Sequence, residues 1–228
     1  MNPDRAVTTP AIEATVRHRR RRNFLLAGLI AAIPPAIGCN PFTIPYLLMG
    51  MPESKIEPAF GKFEEKTVVV IPFIGAATHF NFASVDTELS ELVVNLLRQN
   101  VEEIKVVEPQ RVWEWRDEHT GWQLRDVGEA FKADYVVYLE ISKFTLFEDR
   151  SPTLYRGKAD ILVEVADMHD DGRVVWKQYH QSQYPLNRPI PAADMMQPRF
   201  QQMFLERLAE EIGRYFYAHV HGQDVKDW

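Results

Sequence analysis

Acidic and imidazole side chains cluster in one short stretch of this 228-residue chain. Asp167, His169, Asp170 and Asp171 offer the oxygen and nitrogen ligands that a divalent cation uses. The last two of them lead into Gly172, and an Asp-Asp-Gly sequence is typical of a turn between strands, because these residues tolerate left-handed backbone. The sequence favours a hairpin turn over a metal site, and we predict neither a metal nor a cofactor.

Two other groups of polar residues could do chemistry. His219 and His221 are two positions apart near the end of a predicted helix, where a helical backbone would point them in different directions, so they fit a zinc pair poorly. Asp117, Glu118 and His119 are adjacent, but no hydroxyl or thiol stands at a spacing that ties it to them. The chain has no GxSxG, HExxH, Walker or GxGxxG motif. We therefore predict that the protein is not an enzyme.

The single cysteine, Cys39, excludes an internal disulfide framework and a multi-cysteine zinc site. A basic run, Arg17–Arg22, and an apolar run, Phe24–Ile37, precede it. This order is typical of an export signal. The apolar run is shorter than the ~20 residues that span a bilayer, and Pro34 and Pro35 interrupt it.

The four residues that end at Cys39 resemble a bacterial lipobox, with Ala36 where Leu is commoner and Gly38 before the cut. The resemblance implies that the Cys39 thiol carries diacylglycerol, with fatty acyl chains such as palmitate, and that residues 1–38 are removed. The alternative for Cys39 is a buried free thiol. Two or more acyl chains hold a protein on a bilayer, whereas one holds it only reversibly.

The segment Arg21–Leu26 (RRNFLL) resembles the twin-arginine export motif, with Arg21 and Arg22 as the pair. The alternative is that these arginines form only a generic basic region, and both routes lead out of the cytoplasm. Asn40 follows the cysteine. In enteric lipoproteins an Asp there favours the inner membrane, so we expect the outer membrane, facing the periplasm.

Charge is unevenly distributed. Residues 1–38 hold six basic and two acidic residues, and the remaining chain holds twenty and thirty. An acidic body does not attract nucleic acid by long-range charge, so we predict no nucleic-acid partner. The apolar fraction of 46% and charged fraction of 25% are ordinary for a soluble domain and exclude a multi-span membrane protein.

Residues 39–66 are expected to form a lipidated tether, and residues 67–228 a single domain. The tether is unusually apolar, with Phe42, Tyr46 and Leu47 among its members. A free linker would be polar. The tether should therefore lie against the domain, the lipid or a partner.

The predicted order of elements in the domain is β-α-β-α-α-β-β-β-α. This order predicts an α/β (α+β-like) fold with one mixed sheet and helices mainly on one face. The predicted strands are Thr67–Phe73, Ile104–Val107, Asp134–Phe147, Leu154–Met168 and Arg173–Tyr184. The predicted helices span Leu89–Val101, Pro109–His119, Leu124–Lys132 and Phe200–Val220, with Ser84 or Asp86 as a possible cap of the first.

Four segments within residues 67–177 resemble a group of envelope domains: TVVVIPF, KVVEPQRVWE, LRDVGEAFKADYVVYLEI and EVADMHDDGRVVWK. The group includes the curli-secretion lipoproteins, the lipoprotein activators of penicillin-binding proteins, and the N-terminal domain of the Tol-system β-propeller protein. In its pore-forming branch, long hairpins build a membrane barrel. Here only Glu148–Thr153 joins the two long strands, and no spare pair of strands is left, so the compact activator-like form fits better.

Aromatic residues supply the candidate interface. Trp113 and Trp115 are two apart, so both cannot be central on one helix face. Either one is core and the other exposed, or both are partly buried at the edge of the core. Trp115 and Trp122 are therefore candidate partner-binding residues.

Strand alternation adds a third candidate, Phe144. It shares one phase with Tyr138 and Glu140, a mixture of aromatic and charged side chains typical of a partly wet binding face. The opposite phase contains Leu139 and Ile141 and is predicted to be core.

These observations together predict a lipid-anchored extracytoplasmic protein that binds a partner, as a scaffold or regulator in a bacterial envelope assembly. The alternative is an accessory subunit of a secretion or transport channel. A homo-oligomer is compatible with either.

Overall fold

The structure is a computed structural model and describes residues 55–75, 82 and 84–220. The chain divides into two compact units, Met1–Pro52 and Glu53–Trp228. Every element named below lies in the second unit. Cys39, Arg21, Arg22, Ala36 and Gly38 lie outside the described residues, so the lipidation and export signals stay predictions.

The main sheet is mixed, as the sequence predicts. Its strands run in the order β3-β2-β4-β5-β6, with β2 parallel to both β3 and β4, and with β4, β5 and β6 antiparallel. A short strand, β7, pairs with the start of β5, and β1 and β8 pair with each other. The strands are β1 Lys55–Ile56, β2 Thr67–Ile74, β3 Lys105–Val106, β4 Tyr135–Phe147, β5 Leu154–Asp167, β6 Arg173–Tyr184, β7 Ile190–Pro191 and β8 His219–Val220.

Four helices of the described residues pack on this sheet: α1 Val85–Asn100, α2 Pro109–Glu118, α3 Leu124–Phe131 and α4 Gln197–Gly213. In α1, Leu89, Val93 and Leu97 recur at steps of four and are fully buried, which gives the helix one apolar face. Pro109 begins α2, where the missing amide proton costs nothing because the first turn has no acceptor for it. Ser84 precedes α1, but its side chain makes no capping bond to the helix backbone.

The long helices and the short helices lie on opposite faces of the sheet. Val70 of β2 belongs to the large core under α1 and α4. Its neighbour Ile71 belongs to a smaller core with Val112 of α2 and Val127 of α3. Because α2 and α3 are short, they cover only the β2 and β4 end of their face.

The last helix is shorter than its periodicity predicts. It begins at Gln197 and ends at Gly213, so the expected end at Val220 is wrong. The amides of Tyr215 and Phe216 bond to carbonyls three residues back, which turns the chain. Phe216 still packs in the core through this turn, which explains why its spacing resembled a helix.

Residues 55–66, assigned above to the tether, belong to the folded unit. Phe60 and Phe63 are buried in the large core. The Phe60 amide donates to the Tyr215 carbonyl at 2.8 Å, and the rings of Phe63 and Phe216 are 5.1 Å apart. For these residues, the alternative in which the segment packs on its own domain is the one observed.

Phe144 is buried, and its prediction as an exposed partner-binding residue is wrong. Between Ile141 and Lys143 the register of β4 against β5 shifts by one residue, because Ser142 forms a bulge. A bulge reverses the alternation, so Ile141 and Phe144 both face the large core. Only 3% of Phe144 is exposed, and its ring lies 5.4 Å from that of Phe204.

In the part of the chain that the structure describes, no helix has both the length and the apolar character needed to cross a membrane.

Candidate binding surface

A part of the sheet opposite α1 and α4 is left uncovered, because α2 and α3 are short. Paired positions on neighbouring strands form two rows across it. We call these side chains the open sheet face. Its first row is Tyr138, Glu164 and Lys177, and its second row is Phe73, Glu140, Leu162 and Tyr179.

The open sheet face combines exposed aromatic rings with charged groups. Phe73 is 41% exposed and Tyr179 is 69% exposed, large fractions for aromatic side chains. Lys177 joins the two rows, since its Nζ lies 2.6 Å from Glu164 Oε1 and 5.4 Å from the centre of the Tyr179 ring. Exposed aromatic rings with polar groups beside them are typical of a protein interface.

Tyr138 lies where this face meets the core. Burial, followed by the nearby carboxylates of Glu140 and Glu164, raises the pKa of its phenol far above the ordinary value. The phenol therefore stays protonated at physiological pH and can act as a hydrogen-bond donor. Its ring is 6.4 Å from Phe73 and 6.1 Å from Trp122.

Trp115 and Trp122 form the border of the open sheet face. They pack with ring centres 6.5 Å apart, and both are half-buried. Trp115 also stacks on His119 at 4.4 Å and meets Phe131 edge-on at 6.1 Å. Of these two tryptophans, Trp122 contacts Tyr138 and so adjoins the open sheet face directly. Trp115 is connected to this face only through its contact with Trp122.

Trp113 lies on another side of α2. It is half-buried, and its Nε1 donates to Ser90 Oγ at 3.2 Å. Both Trp113 and Trp115 are half-buried, as the second alternative predicts, and Trp115 packs against the smaller core.

One ion pair fixes α2 in place beside the surface. The Arg116 guanidinium donates to Asp86 of α1 at 2.7 Å and to the Pro72 carbonyl of β2 at 3.1 Å. Asp86, a possible cap in the sequence, is thus a buried ion-pair partner instead. The end of β2 that carries Phe73 is held to both helices by this contact.

The acidic turn serves local structure. The Asp167 carboxylate accepts from the His169 amide, and Asp171 has left-handed backbone with φ of 55°. Asp170 pairs with Arg173, and Asp171 pairs with Arg125 at 2.8 Å. Within residues 55–75, 82 and 84–220, no group of three or more His, Cys, Asp or Glu side chains is arranged to hold a metal.

The remaining polar candidates are separated from one another. His219 belongs to β8, and His221 lies outside the described residues. His119 is engaged with Trp115, whose carbonyl lies 2.7 Å from its Nδ1. Asp117 pairs with Arg116 at 3.1 Å.

Sequence reasoning missed four members of the open sheet face: Phe73 of β2 and Lys177 of β6, and also Leu162 and Glu164 of β5. For the last two, the signal was the alternation of β5, in which half-buried residues at even positions separate the buried Ile161, Val163 and others. A prediction of the pairing between β5 and its neighbours would have been needed to place them together.

No family model and no curated protein matches this chain. Solved structures are similar to it. A PelC dodecamer from Paraburkholderia phytofirmans is 12% identical with a TM-score of 0.45, and the match covers 72% of this chain and 97% of that one. Lipoprotein GNA1162 from Neisseria meningitidis is 10% identical with a TM-score of 0.42, over 64% and 96%. The LpoB C-terminal domain from Salmonella enterica is 12% identical with a TM-score of 0.38, over 54% and 85%. Bacterial lipoproteins are thus among the structures that this chain is similar to, as the sequence resemblance led us to expect.

Proposed function

We propose that this chain is a lipid-anchored extracytoplasmic protein that binds a protein partner through the open sheet face. In this proposal it is a non-catalytic scaffold or regulatory subunit of an envelope assembly. Cys39 carries the lipid, and the anchor lies in the outer membrane facing the periplasm. The sequence before and at Cys39 supports the location, and the open sheet face supports the binding role.

The observation that carries the binding role is the pair of exposed rings at the two sides of this face. Phe73 lies on β2 and Tyr179 on β6, with Leu162 of β5 between them. A single exposed aromatic residue needs no explanation, but a row that holds two exposed rings and a half-buried leucine is an apolar strip, which only Glu140 of β4 interrupts. Removing such a strip from water on binding would contribute about 25 cal/mol per Å².

The polar groups of the same face favour a protein as the partner. Glu140, Glu164 and Lys177 supply acceptors and a donor that would fix the orientation of a partner without dominating its affinity. The half-buried border of Trp115 and Trp122 resembles the anchors that dominate measured protein interfaces.

Capture from membranes tests this function. The tagged full chain is expressed in its own cells, partners are captured with detergent-solubilised membranes, and mass spectrometry identifies them. Phe73→Ser should reduce recovery of the specific partner at least about tenfold, the change expected for the loss of one interface anchor. Met196→Ser is the matched control, because Met196 is 76% exposed and lies at the start of α4, away from this face.

Thermal melting separates binding from folding. Both variants change exposed side chains and should melt within about 2 °C of the wild type, since surface changes shift stability little. If Phe73→Ser melts normally and still recovers the same partners in full, the open sheet face is not the binding surface.

A further inference from the structure

The last strand of the main sheet, β6, has an outer edge that no other described element pairs with. Among the strands of the described residues, β6 pairs only with β5, and its regular ladder runs from Trp176 to Tyr184. In an antiparallel ladder, alternate residues direct their amide and carbonyl away from the neighbour. In the described part of the chain, no backbone hydrogen bond joins β6 to any element beyond the sheet.

This edge has few of the features that usually block edge pairing. The strand contains no proline, and Val175 and Tyr179 are 40% and 69% exposed. Its central cation, Lys177, is engaged by Glu164 rather than projecting freely. The bulge at Val175 lies at one end and leaves nine residues in register. Edges of this length and composition readily accept another strand.

The edge is also held rigid from the helix side. Trp176 packs on Tyr215 with ring centres 5.4 Å apart. The two ring nitrogens of His180 lie 2.9 Å from Tyr215 Oη and 3.0 Å from Glu211 Oε2. A strand fixed in this way loses little freedom when it pairs, which lowers the entropic cost of association.

We propose that a second copy of this chain pairs with this edge, β6 against β6, antiparallel, about a two-fold axis that passes midway between Tyr179 and its copy. An axis at this position, perpendicular to the sheet, places side chains of the same sheet face opposite each other. Tyr179, the most exposed large hydrophobic residue of the strand, then meets its own copy, so the two rings contact each other on the joined open sheet face.

Strand direction and charge both favour this arrangement. With the axis beside Tyr179, Lys177 lies opposite Gln181 of the second copy, so no like charges face each other. Two copies of this edge could pair in parallel only if one sheet were turned over, and the two Tyr179 rings would then lie on opposite faces and could not meet. The antiparallel pair joins the two main sheets into one continuous sheet.

Cysteine cross-linking in membranes tests the pairing and its register. The full chain carries one cysteine, Cys39, so the wild type measures the background. Directly opposite residues have Cβ atoms about 4.5–5.5 Å apart, close enough for oxidation to a disulfide. Tyr179→Cys should give a disulfide-linked dimer, because it faces itself across the axis.

Lys177→Cys and Gln181→Cys provide matched controls on the same sheet face and within the regular ladder. Each should stay monomeric alone, whereas cells that express both should form a mixed dimer, because these positions lie opposite one another in the proposed register. No dimer with Tyr179→Cys, equal dimer with all three single variants, or a cross-link to a different protein would each overturn the proposal.

Sedimentation of the full chain in detergent gives an independent measurement. The wild type and Tyr179→Phe should have the mass of a dimer at concentrations where Tyr179→Lys, with two cations at the axis, is monomeric. This inference can be tested separately from the proposed function. The dimer is measured by cross-linking and sedimentation, whereas partner binding is measured by capture with the Phe73→Ser variant, so one can be disproved while the other holds. A wild type that remains monomeric at every concentration would contradict the pairing.

Discussion

The guanidinium of Arg116 lies 2.7 Å from the carboxylate of Asp86, and this ion pair joins α2 to α1 across the end of β2. Asp86 is only 2% exposed, and Arg116 also donates to the Pro72 carbonyl. An ionised carboxylate in this position depends on its partner, because burial without a counter-ion is costly.

Arg116→Met should therefore destabilise the fold by about 2–4 kcal/mol, somewhat less than for a completely buried pair. The reason is that Asp86 loses its charge partner and α2 loses its hold on β2. Chemical denaturation measures the free energy of unfolding. Arg125→Met is the control: its pairs with Glu129 and Asp171 are exposed, so its cost should be much smaller than that of Arg116→Met. If the two variants lost equal amounts of unfolding free energy, the buried ion pair would stabilise the fold no more than the exposed pairs do.

Phe144→Ala should destabilise the protein by about 3–5 kcal/mol, because it leaves a cavity between the sheet and α4. Its ring contacts those of Phe82 and Phe204. Leu139→Ala, in the same core, should cost about 2–5 kcal/mol. Thermal and denaturant melts compare them with Tyr179→Ala, which removes an exposed ring and should cost about 0.5 kcal/mol or less. A Phe144→Ala variant as stable as Tyr179→Ala would contradict the buried position.

The position of Phe144 shows where sequence reasoning reached its limit. The apolar runs of β2, β4 and β5 and the periodicity of α1 are local signals, so fold class and element order could be predicted from them. A single-residue bulge at Ser142 leaves no local signal, yet it reverses every later position of β4. The predicted end of α4 was wrong for a similar reason: Phe216 stays in the core although it lies in a turn after the helix, so its spacing resembles that of a helical residue.

The candidate surface could be predicted only in part. Trp122 and Tyr138 were identified by residue type, but their contact depends on how α3 packs on β4. Lys177 and Glu164 lie opposite each other because of the register between β5 and β6, and the sequence of neither strand alone determines this register. Long-range pairing of this kind is set by the whole core.

A fragment test defines the start of the domain. A fragment that begins at Glu53 and one that begins at Phe60 should both unfold cooperatively, since each retains Phe60 and Phe63. A fragment that begins at Lys66 lacks both rings and should expose apolar surface, because their cavity adjoins Phe216. Circular dichroism melts and binding of an apolar dye measure this. Cooperative unfolding of the shortest fragment would show that residues 53–65 are dispensable.

Cys39→Ser should release the protein from the membrane or leave its leader uncut, because serine offers no thiol for the lipid. Cells are labelled with an alkyne fatty acid, and the tagged chain is examined for label and for size. Wild type should carry label and lack residues 1–38, whereas Cys39→Ser should carry none. Ser54→Ala, a nearby hydroxyl change that leaves the cysteine intact, should behave as wild type. An unlabelled wild type would reject the lipid anchor.

Glu211 makes the stability of the fold depend on acid pH. Burial raises the pKa of its carboxyl, but hydrogen bonds from His180 and Arg207 outweigh burial and hold the pKa below the ordinary value of 4.5. The unfolded chain therefore binds this proton at a higher pH than the folded chain. The stabilisation from Glu211 is fully present well above pH 4.5 and is lost as the pH falls through the folded pKa.

Glu211→Gln should lower the free energy of unfolding at pH 7, and this free energy should then fall less steeply as the solution is made acidic. Denaturant titrations from pH 7 down to about pH 3.5 would measure both effects. Glu206→Gln, on the exposed side of the same helix, should leave the acid slope unchanged. If Glu211→Gln has the wild-type acid slope, the network around His180 does not couple folding to this proton.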